Sequence, residues 1–330
     1  MRLRVSLTRL CVLLVLLCAF SALSMASAFN GVVVYGDSVV DNGNLFALTG
    51  VPGPPYWKGR FSNGPVSVEY LAQSLSAPLM DYAYGGATSG IGNTGDGGTQ
   101  TTLGFAHLPG MISEYLATVG SITPSEESHS LFIVFAALGN DLKSNGFSTT
   151  TADTAVHDVI SIVTGLQAKG VQHILVAGAP DVGLGPSVVA LGAGPAATAL
   201  SKYYNGELQL DLQGKGVIYF DTFGVEHQLV QNPAKYGLVD VTDPCFNGTT
   251  VCANPNQYLF WDGSHPTTAV DELLAQRFEQ AVVPEPASLV MLGTGVLGVL
   301  GYRRRVARPT GGFYKRGCQE KTLLPRREQR

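Results

Sequence analysis

Residues 31–44 read GVVVYGDSVVDNGN. A run of small and β-branched residues suits an extended strand, and we read one over 31–36. The run stops on Gly36-Asp37-Ser38, which is neither a helix cap nor an ordinary turn. The simplest account is that the strand exists to present the Ser38 hydroxyl. Four more short apolar runs resemble it, at 80–84, 131–138, 171–177 and 216–222. Helical patterns separate them, at 66–76, 107–119, 153–169, 193–213 and 267–281. Continuously apolar strands alternating with helices indicate a parallel sheet covered on both faces. The reading is one three-layer α/β/α domain over 29–283, with a central, mostly parallel sheet of about five strands. Residues 49–65, 85–104 and 232–263 read as loops, the first two rich in Gly and Pro. In open α/β sheets such loops gather at the carboxyl ends of the strands, where ligands bind.

The ends of the chain follow other rules. Residues 1–28 carry Arg2, Arg4 and Arg9, then the apolar run Leu10 to Phe20, then a small-residue stretch ending on Ala28. That is the pattern of a cleaved signal peptide, and the run is short for a membrane anchor. At the other end, 284–308 holds Pro284-Glu285-Pro286, a mostly apolar segment from Ala287 to Tyr302, and Arg303, Arg304 and Arg305. Such a segment can enter the inner membrane, with the arginines held on the cytoplasmic side. A basic tail, 309–330, follows, and nothing in its sequence explains it.

Charge divides along the same lines. Residues 29–283 hold 8 Lys and Arg against 22 Asp and Glu, whereas 284–330 hold 10 against 3. A strongly acidic domain argues against nucleic acid as a partner. Of five cysteines, only Cys245 and Cys252 fall in this domain. In an exported protein that isolated pair points to a disulfide. The alternative, a metal site, lacks a His or a second Cys pair at ligand spacing. The stretch GIGNTG at 90–95 matches a dinucleotide-binding pattern, but no helix opens on it, so no cofactor is expected.

Chemistry-bearing residues recur where strands stop. LFIVFAALGND ends on Gly139-Asn140-Asp141, MDYAYGGATSG runs into Gly85-Gly86, and YLFWDGSHPT holds Asp262 and His265. A serine hydroxyl needs a base to become a nucleophile, and an imidazole is the natural one near neutral pH. Asp262, three residues before His265, can reach its Nδ1 and leave Nε2 for Ser38. Asp141 reads as a helix cap and Asp37 as a support of its own loop. Trp57 and Phe61 are candidates for lining an acyl pocket or for packing their loop. His107, His129, His157, His173 and His227 stand in no catalytic context.

These words together, with GRFSNGPVSVEYLA and GAPDVGLGP, resemble the GDSL or SGNH hydrolases, and most of all their larger lipase/esterase branch. The resemblance spans residues 35 to 267. It implies a flavodoxin-like fold, a Ser38 nucleophile with Asp262 and His265, and an oxyanion hole from Ser38, Gly86 and Asn140. Val39 and Val40 stand where the family often has Leu and Ser. The C-terminal segment resembles the PEP-CTERM sorting signal of Gram-negative bacteria, which an exosortase-type membrane protease recognises, although such tails usually stop soon after the arginines. The expectation is an exported serine esterase or lipase acting on a small ester or lipid, without metal or organic cofactor, and periplasmic, cell-surface or extracellular. Two alternatives share the fold: a carbohydrate acetylesterase acting on acylated exopolysaccharide, and a non-catalytic surface or matrix protein.

Overall fold

Gly31–Tyr35 forms strand β1, every residue of it buried. With β2 (Leu79–Asp81), β3 (Ser130–Phe135), β4 (His173–Ala177) and β5 (Ile218–Phe220) it builds one parallel sheet in the order β2-β1-β3-β4-β5. The structure, a computed structural model, describes residues 29–96 and 107–283. The expected signal peptide over 1–28, the sorting segment 284–308, the tail 309–330 and part of the 85–104 loop lie outside the described residues. The chain divides into two units, Met1–Pro284 and Glu285–Arg330, and the fold described here belongs to the first.

The described helices, in chain order, are α1 (Asn44–Thr49), α2 (Ser67–Ser74), α3 (Met111–Thr118), α4 (Pro124–His129) and α5 (Leu138–Asn145). They continue with α6 (Thr149–Lys169), α7 (Pro186–Ala190), α8 (Gly194–Asp211), α9 (Thr222–Gln231) and α10 (Thr268–Val282). Side chains alternate across a strand, so an apolar strand between two helical layers feeds two cores. Val33, Tyr35, Phe132, Val134, Ile174 and Val176 face one core, which α3, α6 and α8 complete with Met111, Val159, Ile162 and Leu208. Val32, Val34, Leu131, Ile133, Phe135 and Leu175 face the other, closed by Val68 and Leu71 of α2 and Leu274 and Phe278 of α10. Phe278 is fully buried, its ring 4.5 Å from Phe220 and 6.4 Å from Phe135.

The sheet order has a consequence for the site. From β1 the chain goes to β2 on one side and to β3 on the other. The crevice beyond the carboxyl ends of β1 and β3 is therefore the topological switch point, where open α/β sheets bind ligands. Ser38 follows β1 and Asn140 follows β3. The last helix is tied to the 61–65 loop by three bonds. Thr268 N donates to Asn63 Oδ1 (2.9 Å), Thr268 Oγ1 to Pro65 O (2.8 Å), and Ser62 Oγ to the buried Asp271 (3.1 Å).

Among the departures from the sequence reading, two have a clear physical cause. The apolar run read as a strand to 138 leaves the sheet at Phe135, and α5 starts at Leu138. Ala136, Ala137 and Leu138 are buried in the helical connection as deeply as in a strand, so hydrophobicity alone does not mark the boundary. The 232–263 segment, read as a loop, contains β6 (Asp240–Pro244) paired in parallel with β7 (Tyr258–Phe260). These strands are short, and a small third core of Leu229, Leu238, Leu259, Phe260 and Val270 holds them.

Candidate active site

The turn that carries Ser38 is built on two carboxylates. Asp37 accepts Val39 N through Oδ1 (3.0 Å), and its carbonyl accepts Val40 N and Asp41 N (3.1 and 3.0 Å). Gly36 is required by close packing, since a Cβ there would stand 2.6 Å from Val40 Cγ2 and 3.2 Å from Phe135 Cβ. From the far side, Glu114 of α3 reaches under the turn. Its Oε2 accepts Gly36 N (3.1 Å), and its Oε1 accepts Tyr84 N (3.2 Å). One buried side chain thus anchors the chain two residues before Ser38 and two residues before Gly86. Burial pushes the Glu114 carboxyl well above its ordinary range, its bonds to the two amides opposing the shift and nearby carboxylates adding to it.

The histidine arrives on the loop between β7 and α10. Asp262 Oδ1 accepts Ser264 N and His265 N (2.8 and 2.9 Å), folding the loop back on its own carboxylate. His265 Nδ1 lies 2.9 and 2.8 Å from the two Asp262 oxygens, and Nε2 lies 2.8 Å from Ser38 Oγ. An ionised carboxylate only accepts, so Nδ1 carries the hydrogen and Nε2 is free to accept the Ser38 hydroxyl proton. Burial is the largest influence on both groups, lowering the imidazole and raising the carboxyl. Their mutual charge and hydrogen bonds outweigh it. Asp262 comes down to about 2, and His265 stands above its ordinary 6.5, with the Asp37 charge adding to the rise.

Two further expected residues meet beside this pair. Gly86 has φ +82°, and a Cβ there would lie 2.5 Å from Asn93 Oδ1, so both conformation and space demand glycine. Among the described residues, the backbone N–H groups of Ser38 and Gly86 donate to no protein acceptor. Asn140 sits between their two turns. Its Nδ2 donates to Asp37 Oδ2 (3.0 Å) and to Ala87 O (2.9 Å). An oxyanion in the crevice would share or take one of these hydrogens. Burial raises the Asp37 carboxyl to about 6, against its bond from Val39 N and the charge of His265.

Other expectations resolve differently. Asp141 does not cap a helix, because α5 begins three residues before it. Its buried carboxylate accepts Ser89 N and Ser89 Oγ (3.0 and 2.7 Å), bracing the Gly86 loop against α5. Phe61 packs on the His265 ring, with centroids 4.9 Å apart, whereas Trp57 lies against Lys58 and Arg60. His227 pairs with Asp181 (2.8 Å). Cys245 and Cys252 are bonded to each other. No group of His, Cys, Asp or Glu among the described residues is placed to hold a metal. Glu114 and Tyr56 were not singled out in the sequence, although Tyr56 OH donates to Asp262 Oδ2 at 2.7 Å. Neither stands in a motif near its partner, so no local signal marks them.

The model of the GDSL-like lipase/acylhydrolase family matches residues 32–278, and that of the PEP-CTERM protein-sorting motif matches 282–305. A GDSL esterase/lipase of Arabidopsis thaliana is 25% identical over 309 residues, covering 73% of this chain and 86% of that protein. The thermolabile hemolysin of Vibrio parahaemolyticus is 25% identical over 281 residues, covering 75% of this chain and 62% of the hemolysin. Among solved structures, phospholipase A1 from Streptomyces albidoflavus aligns with a TM-score of 0.45 at 16% identity, over 77% of this chain and 100% of that one.

Proposed function

The chain belongs to the GDSL-like lipase/acylhydrolase family and hydrolyses ester bonds, and on that premise we propose an exported serine esterase or lipase with Ser38 as nucleophile. The observation that carries the proposal is the 2.8 Å approach of His265 Nε2 to Ser38 Oγ, with Asp262 on the opposite ring nitrogen.

As Ser38 Oγ attacks the ester carbonyl, His265 Nε2 takes its proton. The carbonyl oxygen becomes an oxyanion, held by Ser38 N–H, Gly86 N–H and the Asn140 amide. Asp262 keeps the imidazole in the right tautomer and stabilises the imidazolium. His265 then gives the proton to the departing alkoxide, so the alcohol leaves and an acyl-Ser38 ester remains. Water, activated by the same nitrogen, adds to that ester and releases the acid.

The C-terminal motif indicates export and sorting to the cell envelope. In our reading, residues 1–28 are removed on export. The 287–302 segment holds the chain in the inner membrane until an exosortase-type protease acts near Pro284-Glu285-Pro286. A short acyl group on a polysaccharide and the acyl chain of a lipid would use the same residues, and a panel of both ester types separates them.

The test of the nucleophile is Ser38→Ala. Turnover of the best ester should fall about 10⁴-fold or more, and a serine-reactive phosphonate should add one label per chain, on Ser38. Labelling at another serine, or undiminished turnover in the variant, would remove Ser38 from its role.

A further inference from the structure

Asp262 has more partners than its histidine. Its Oδ1 serves Ser264 N, His265 N and His265 Nδ1, and its Oδ2 is shared between His265 Nδ1 and the phenol of Tyr56. Tyr56 lies 206 residues earlier, on the Pro-rich loop after α1, and its hydroxyl stands 2.7 Å from the carboxylate. Both oxygens are thereby saturated, and a carboxylate with every lone pair committed cannot rotate away from the imidazole without breaking a bond.

The phenol is itself held. Its ring meets Phe61, Phe246 and Trp261 edge-on, at 6.0, 5.7 and 6.1 Å. Phe61 continues onto the His265 ring, so one loop touches both members of the pair. Phe246 follows the bonded Cys245, stacks on Trp261 at 5.8 Å and donates its N–H to Trp261 O. The aromatic seat is therefore assembled from three loops, the one bearing Phe246 closed by the disulfide.

We propose that Tyr56 is a positioning residue of the catalytic base pair, fixing the Asp262 carboxylate against His265 and tempering its pull on the imidazolium. The proposal rests on the esterase reading of Ser38, Asp262 and His265. Tyr56 touches no reacting atom. Its phenol competes with His265 Nδ1 for Oδ2, so removing it leaves a carboxylate that is less well oriented and more strongly basic toward the ring. The first effect lowers turnover, and the second moves the histidine's titration upward. The charged groups that face this ring are Asp262, Asp37 and Lys143, and none of them changes in Tyr56→Phe, the variant whose pH profile is read.

The experiment compares wild type, Tyr56→Phe, Asp262→Ala and the double variant of the full chain on a soluble ester. Tyr56→Phe retains the ring and its three aromatic neighbours, so the fold is conserved. We expect kcat to fall about 10-fold with KM little changed, and the acidic limb of kcat/KM to move to higher pH. In the Asp262→Ala background the same change should have no further effect on kcat, since coupling is lost when the shared partner is absent. Wild-type kcat and an unmoved limb in Tyr56→Phe would overturn the proposal, as would a loss carried by KM or full additivity in the double variant. An inert wild type would instead fail the esterase reading, and this proposal with it.

Discussion

Glu114→Gln is the perturbation that asks most of the site's architecture, because it alters one atom of a residue that touches no substrate. The carboxyl group accepts Gly36 N through one oxygen and Tyr84 N through the other, and both oxygens can still accept when burial keeps the group protonated. A glutamine keeps the shape but offers one acceptor and one donor, so one of the two amides must face an N–H group. Glu114 is buried, so bulk solvent has no ready access to the amide that loses its acceptor. Leaving a buried amide unpaired costs about 1–3 kcal/mol. In a domain of this size that corresponds to a Tm lower by about 2–10 °C. The same mispairing displaces the backbone just before Ser38 or just before Gly86, the two N–H donors proposed for the oxyanion. Removing such a donor costs about 10²–10³ in rate, and a displaced donor should cost up to about 10². Calorimetry reads the first effect and steady-state kinetics on a soluble ester the second, with kcat carrying the loss because the donors act on the transition state. A variant that melts with wild type and turns over with wild-type kcat would refute the reasoning. One that melts early but keeps its kcat would make Glu114 a support of the fold alone.

In the proposed mechanism His265 acts as base only when neutral, and Asp262 pulls its titration above the ordinary 6.5 against the effect of burial. The kcat/KM profile should therefore climb with pH along a limb centred above that value, and a limb at or below 6.5 would contradict the pairing. At the C-terminal end, intact mass of protein from the native host should show a chain ending near Pro284-Glu285-Pro286. A steady-state species still carrying residues 303–330 would instead indicate an uncut, membrane-held enzyme.

The sequence made the sheet legible because its strands are buried on both faces. Val32, Val33 and Val34 supply a β-branched run that no amphipathic helix would show, and β3 and β4 repeat it. The short strands β6 and β7 carry no such run. Their third core assembles from Leu229, Leu238, Leu259 and Val270, which are close in space and scattered in sequence. The same distinction applies at the site. Ser38, Asn140, Asp262 and His265 sit in words that mark their own positions. Tyr56 and Glu114 act through partners 206 and 78 residues away, a distance that no local spacing encodes. Asp141 was misread for a narrower reason, since the apolar run through Leu138 hides where β3 ends and α5 begins.

The bond between Ser38 and His265 joins residues 227 positions apart. A contact of such span has a large loop-closure entropy to overcome before it can form. His265 is delivered by the loop that leads into α10, and α10 is seated by the 61–65 loop and α2. Until that last helix docks, Ser38 has no His265 beside it. On the proposed mechanism, a half-folded chain would hold Ser38 without its base and would be inert toward esters. On that reading, hydrolytic power arrives only with completion of the domain.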